Sequence, residues 1–164
     1  MFKEELSISL TKNENDFRLC AEIMAGTDPW TKLEMDFDQC LKAFEGDFRE
    51  VYVARYGGEL AGFVILQVHG TFSGYIQSIC MSEKYRGKGL GTRLIEFCEK
   101  RIFDFSPNIF ICVSVFNKGA MKLYYRMGYK LVGELESFLK EGYTEFLLRK
   151  TIGPKLGYRS SQNQ

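Results

Sequence analysis

Polar and apolar residues alternate from Glu5 to Leu10, the period-two pattern of a strand with one buried face. Asn13 then caps a predicted helix reaching about Met24, with Asp16 three residues on as a capping-box partner. Gly26 to Trp30 interrupts that pattern, and a second helix is predicted over Asp36 to Phe44. Glu50 to Tyr56 and Glu59 to Val68 are rich in β-formers and meet at Gly57-Gly58, a hairpin signal. Phe72 to Ser82 is a predicted fourth strand, paired to the third. Leu90, Leu94, Phe97, Cys98, Arg101 and Ile102 recur at helical spacing, while Thr92, Arg93, Glu96, Glu99 and Lys100 fill the opposite face. Ile109 to Phe116 is an apolar run suited to a buried central strand. Asn117 caps a short helix with Ala120, Leu123, Tyr124 and Met127 inward, stopped by Gly128. Tyr129 to Phe138 and Tyr143 to Arg149 close the pattern as a hairpin through Glu141-Gly142.

The resulting order is β-α-α-β-β-β-α-β-α-β-β. Hairpin clusters of strands with two helical crossovers predict an α/β (α+β) mixed sheet of about seven strands, flanked by four helices on both faces. No repeat, low-complexity block or linker divides residues 1–150, which read as a single domain. Residues 151–164 turn polar and read as a C-terminal tail, expected to fray.

Composition narrows the class. At 164 residues, with 45% apolar and 26% charged residues, the chain is long enough for a core and too apolar for disorder. Its formal net charge of +1 gives no case for nucleic acid or an anionic membrane as partner. Cys20, Cys40, Cys80, Cys98 and Cys112 form no CxxC pair, so reduced thiols in the cytoplasm are expected, with no disulfide framework and no metal site. The start, MFKEELSISL, lacks a basic-then-apolar leader layout, and no 18-residue apolar run exists.

The richest chemistry lies in Arg86-Gly87-Lys88-Gly89-Leu90-Gly91, between a predicted strand and a predicted helix. Glycines there let the backbone approach a ligand, and the helix start adds free N–H donors, so a pyrophosphate cradle is expected. A Walker A string is absent. The dinucleotide fingerprint fails because Thr92 stands at its last glycine, and successive βαβ units are missing. Arg-x-x-Gly-x-Gly remains, carried by Arg86, Gly89 and Gly91.

That loop resembles the acyl-CoA pyrophosphate loop of the GNAT superfamily of N-acetyltransferases. Asn117-Lys118-Gly119-Ala120-Met121-Lys122-Leu123-Tyr124-Tyr125-Arg126-Met127-Gly128-Tyr129 resembles the second signature of the same family, one strand downstream. The resemblance spans about residues 4–150. It implies a GNAT-like fold and transfer of an acetyl group from acetyl-CoA to a primary amine by direct attack. It implies that backbone N–H groups from Arg86 through Gly87, Lys88, Gly89, Leu90 and Gly91 to Thr92 hold the cofactor pyrophosphate. The fourth and fifth strands should splay, exposing backbone at Ile79-Cys80-Met81, with Met81 N–H as donor to the thioester carbonyl. Tyr124 matches the family's general acid, which protonates the leaving thiolate. Asn117 is expected to cap its helix and contact the pantetheine arm. Cys80 has no His or Asp partner motif, which argues against a cysteine nucleophile.

The proton acceptor for the amine is missing from this reading. Family members place a Glu at positions that are Cys112 and Tyr75 here. His69, the only histidine, is a candidate acting through water. Glu34, Asp36 and Asp38 are candidates to bind an ammonium. Thr27-Asp28-Pro29-Trp30-Thr31 is similar to the ribosomal-protein-alanine acetyltransferase group, with Trp30 either lining an acceptor pocket or plugging the core. The expected acceptor is a small amine, an amino-acid derivative or a protein N-terminus, with a weakly catalytic acyl-CoA-binding module as the alternative. A homodimer is left open.

Overall fold

The protein is described by a computed structural model covering residues 5–160; residues 1–4 and the 161–164 end of the polar tail lie outside the described residues. Its elements are β1 (Leu6–Thr11), α1 (Glu14–Ala25), α2 (Phe37–Lys42), β2 (Arg49–Tyr56), β3 (Glu59–Gln67), β4 (Tyr75–Met81), α3 (Leu90–Phe103), β5 (Asn108–Ser114), α4 (Lys118–Arg126), β6 (Lys130–Leu135) and β7 (Glu145–Thr151). The seven strands form one mixed sheet in the order β1-β2-β3-β4-β5-β7-β6. β4 and β5 run parallel; the other neighbours are antiparallel.

Helices cover both faces. Cys20, Ala21, Met24, Cys40 and Phe44 from the α1–α2 side pack on Val51, Val53, Phe63 and Ile65 of the sheet. On the other face Leu94, Ile95, Cys98 and Ile102 of α3, with Met121 and Tyr124 of α4, pack on Val64, Leu66, Ile76, Ile109 and Ile111. Period-two alternation along each strand sends its side chains to these two separate cores.

Several boundaries differ from the periodicity, each for a local reason. Asn13 caps α1 through Asn15 N at 2.8 Å, but Asp16 is no capping-box partner: its carboxylate accepts from Thr11 Oγ1 at 2.7 Å and from Arg55 at 2.9 Å. The reciprocal box belongs to α2, where Asp36 and Gln39 exchange side-chain-to-backbone bonds. β4 starts at Tyr75, not Phe72, because Gly74 turns the chain at φ 94°. A Cβ at Gly74 would lie 2.4 Å from Asn108 O and 2.8 Å from Ile102 Cγ2, so only glycine fits there. β5 ends at Ser114, where Asn117 N folds back on Ser114 O at 2.8 Å. The last hairpin has a loop from 136 to 144 in place of a tight Glu141-Gly142 turn, and β7 runs on to Thr151.

After β7 the chain is tethered. Ile152 N donates to Pro107 O at 3.0 Å, the Tyr158 hydroxyl to Phe103 O, and Lys155 Nζ to Thr71 O at 3.2 Å. No helix among the described residues is long and apolar enough to cross a membrane.

Candidate active site

The site begins where the sheet opens. The parallel β4–β5 ladder pairs Tyr75 with Phe110 and Ile76 with Ile111, and stops there. β4 remains bonded to β3 as far as Met81. Ser82 N donates to Ala61 O at 2.8 Å. The adjacent Met81–Gly62 pair is therefore the type whose N–H and C=O face away from the partner strand. Alternation turns Ile79 the same way. Both residues present backbone N–H groups to the gap between β4 and β5. Gly62 keeps that part of β4 tight on β3: a Cβ there would lie 2.3 Å from Cys80 O.

Two cavities open from the gap and share Pro29, Trp30, Ile79, Asn117 and Tyr124. The larger, of about 550 Å³, runs from Met81 past Arg86, Gly87 and Gly91 at the start of α3 to Gly119, Ala120 and Leu123 of α4. Gly89 is the N-cap of α3; both it and Gly87 have φ 74°. This left-handed backbone favours glycine, and a Cβ at either position would meet no atom within 4 Å. The space ahead of the α3 N-terminus is open to a ligand. Arg86 Nε reaches Met81 O at 3.3 Å and fixes the loop to the end of β4.

The other loop residues divide. Leu90 is buried in the core, so only its backbone can serve a ligand. Lys88 folds its ammonium over Tyr56 at 5.3 Å and Tyr85 at 5.8 Å. Lys88, Gly89, Leu90 and Thr92 do not line the cavity; Ile79, Met81, Arg86, Gly87, Gly91, Asn117 and Tyr124 do.

Asn117 caps α4 by accepting from Ala120 N at 3.3 Å. Tyr124, 6% exposed, lies at the junction of the cavities, while its neighbour Tyr125 is exposed. Burial raises the Tyr124 phenol well above its usual range, so it is protonated at neutral pH. Cys80 is buried, and burial raises its thiol to about 11, which leaves no thiolate for attack.

The second cavity, of about 310 Å³, is lined by Met24, Trp30, Leu33, Met35, Phe138 and Leu139 around the polar floor of Tyr75, Cys112, Ser114 and Glu145. Trp30 packs tilted on Phe63 at 6.3 Å and also walls both cavities. His69 is elsewhere, edge-on to Phe48 at 5.9 Å in a separate depression, and does not serve this site. Glu34 is exposed and paired with Lys140 at 2.5 Å, Asp36 is used as a helix cap, and Asp38 is exposed. None of the three lines the cavity.

Glu145 is the residue that motif reasoning missed. It is 2% exposed and accepts from Ser114 Oγ at 2.5 Å. Burial raises its carboxyl above the ordinary range, with the Ser114 bond opposing. The available signal was an acid inside the strand-forming run Glu145-Phe146-Leu147-Leu148.

Residues 14–129 match the model of the acetyltransferase (GNAT) family. The chain belongs to that family. It is an acetyl-CoA-dependent N-acetyltransferase. It is 28% identical to an N-alpha-acetyltransferase of Sulfurisphaera tokodaii over 68% of this chain and 73% of that protein. Its fold is similar to the ribosomal-protein-S18-alanine N-acetyltransferase of Escherichia coli, with TM-score 0.75, 16% identity, and coverage of 93% of this chain and 97% of that one. A GNAT acetyltransferase of Elizabethkingia anophelis with acetyl-CoA bound is also similar, with TM-score 0.68, 20% identity, and coverage of 92% and 100%.

Proposed function

We propose that this GNAT enzyme acetylates the α-amine of a peptide or protein N-terminus whose first side chain is apolar. The observation that carries this reading is the lining of the smaller cavity, which is mostly apolar and holds a single charged side chain, Glu145. A polyamine or a free amino acid would bring further charges that nothing in the lining meets, and burying them unpaired is costly. An α-amine has a reference pKa of about 7.7–8.0, against about 10.4 for a lysine-type amine, so one carboxylate is enough to deprotonate it. The similarity to a protein named N-alpha-acetyltransferase supports the same acceptor.

The chain's residues fit the cosubstrate: open space lies before the α3 N-terminus, and the N–H groups of Ile79 and Met81 point away from β3. Acetyl-CoA supplies the acetyl group as an activated thioester. The N–H groups from Arg86 to Thr92, with the Arg86 guanidinium, hold its pyrophosphate. Met81 N–H, assisted by Ile79 N–H, donates to the thioester oxygen as negative charge develops there. Asn117 orders the start of α4 beside the pantetheine arm. Tyr124 gives its proton to the departing thiolate.

The test is free-thiol release from acetyl-CoA with tetrapeptides beginning in Leu, Ser or Asp, alongside spermidine and n-butylamine. The Leu peptide should exceed the Asp peptide by at least about 10-fold in kcat/KM. Faster turnover of spermidine or n-butylamine would overturn the peptide reading.

A further inference from the structure

We propose that Glu145 is the catalytic base: its carboxylate receives the acceptor ammonium in the smaller cavity and takes its proton. The inference deepens the acceptor reading and rests on it only for where the amine sits. Among the residues lining that cavity Glu145 is the only charged one. It is almost fully buried, and its single hydrogen bond among the described residues comes from the neutral Ser114 hydroxyl. None of the ion pairs among the described residues includes it. A buried carboxylate without a cation is expensive, and such a group marks a place where a cation arrives with the substrate.

Its position answers the gap left by the motifs. Glu145 starts β7 directly opposite Ser114 of β5, two residues along from Cys112 on the same face. Its charge acts on both Cys112 and Tyr75, the positions without a carboxylate. The base has moved one strand across the sheet and still faces the same space. The titratable groups around it are Tyr75 from β4, Cys112 from β5 and Tyr124 from α4, all neutral near pH 7 because burial raises each. No lysine, arginine or histidine lines the cavity. The flanking loops carry Asp28 paired with Lys32, Glu34 paired with Lys140, and Glu136 and Glu141, none of which lines the cavity.

The proton balance closes. Glu145 takes one proton from the ammonium, and the neutral nitrogen forms the new C–N bond while the C–S bond breaks. Tyr124 protonates the departing thiolate and is restored by the second N–H proton. Glu145 releases its proton to solvent, so each turnover yields amide, thiol and one proton.

The experiment compares wild type, Glu145→Gln and Glu145→Asp by thiol release from about pH 5 to about pH 9, with a Leu-initiated tetrapeptide and with n-butylamine. Acetyl-CoA-induced Tm shifts serve as the check on folding and cofactor binding. Glu145→Gln should lower kcat by about 10²–10⁴-fold. It should also erase the acidic limb of the kcat/KM profile and keep the Tm shift; Glu145→Asp should retain the limb. Turnover within about 3-fold of wild type, or a loss with the acidic limb unmoved, would overturn the proposal. The two acceptors separate this failure from that of the peptide reading. If n-butylamine reacts and the peptide does not, the peptide reading falls, and the Glu145→Gln profile with n-butylamine still decides the base.

Discussion

The two cavities beside Tyr124 are built in opposite ways. The proposed cofactor side is lined by a few contiguous stretches, the 28–30 loop, the end of β4, the glycine loop and the start of α4, and three of its lining residues are glycines that offer only backbone. The proposed acceptor side is lined by residues from α1, the loop after it, the end of α2, β4, β5, α4, the 136–144 loop and β7. Backbone donors are common to every sequence that can adopt the loop, so on the proposed reading the first side recognises the cosubstrate and tolerates variation, while side-chain volume and charge on the second side select the amine. Tyr124 and Asn117 stand on the border and line both.

Gly89→Glu strikes the cofactor side hardest. It forces a left-handed residue with a side chain, at about 1–2 kcal/mol, and puts a carboxylate beside the proposed pyrophosphate site. Wild type at 100 times its dissociation constant should gain about 2.7 kcal/mol of stability from acetyl-CoA. The variant should show no ligand-induced rise in Tm and no turnover. A retained rise would mean that the pyrophosphate lies elsewhere.

Tyr124→Phe tests the border. Its hydroxyl has no hydrogen-bond partner among the described residues, and phenylalanine fills the same space. We expect kcat to fall by about 10²-fold or more with the acetyl-CoA Tm shift unchanged. Equal loss of cofactor binding would reassign Tyr124 from proton donor to wall.

The contrast also explains what was legible in the sequence. Arg86 to Gly91 and Asn117 to Tyr129 are contiguous, and their meaning is local: a turn that needs glycine, a cap that needs Asn, a helix face that carries Tyr124. The hairpin at Gly57-Gly58, with φ 60° and 87°, was legible for the same reason. Glu145 was not. It lies 31 residues from Ser114 and in no motif, and its meaning depends on β7 inserting between β5 and β6. That non-sequential order places a carboxylate beside Cys112 with no trace in local spacing. His69 misled for the complementary reason: its residue type suited a base, but it lies beyond the end of β3 beside Phe48, in a separate depression. The capping box at Asp36 was present as Asp-x-x-Gln but hidden by drawing the helix through it.

The smallest expected effect is on stability, and it separates the two sides most sharply. Below the ordinary glutamate pKa of about 4.3, Glu145 is protonated in both folded and unfolded chains and has no pH-linked effect. Its folded value is raised, so as pH climbs the unfolded chain loses this proton first. The unfolded state then binds fewer protons than the folded one, and stability falls through that window until the folded group also ionises. Glu145→Gln removes the penalty and keeps an amide oxygen for Ser114. At about pH 7.5 the variant should melt about 2–4 °C above wild type, which corresponds to about 1 kcal/mol in a chain of this size, and the gain should vanish near pH 4. A residue kept for packing alone would give a variant that melts lower at both pH values. A variant that is more stable and inactive shows a charge retained at the acceptor side against the interest of the fold, whereas Gly89→Glu on the cofactor side loses stability and binding together.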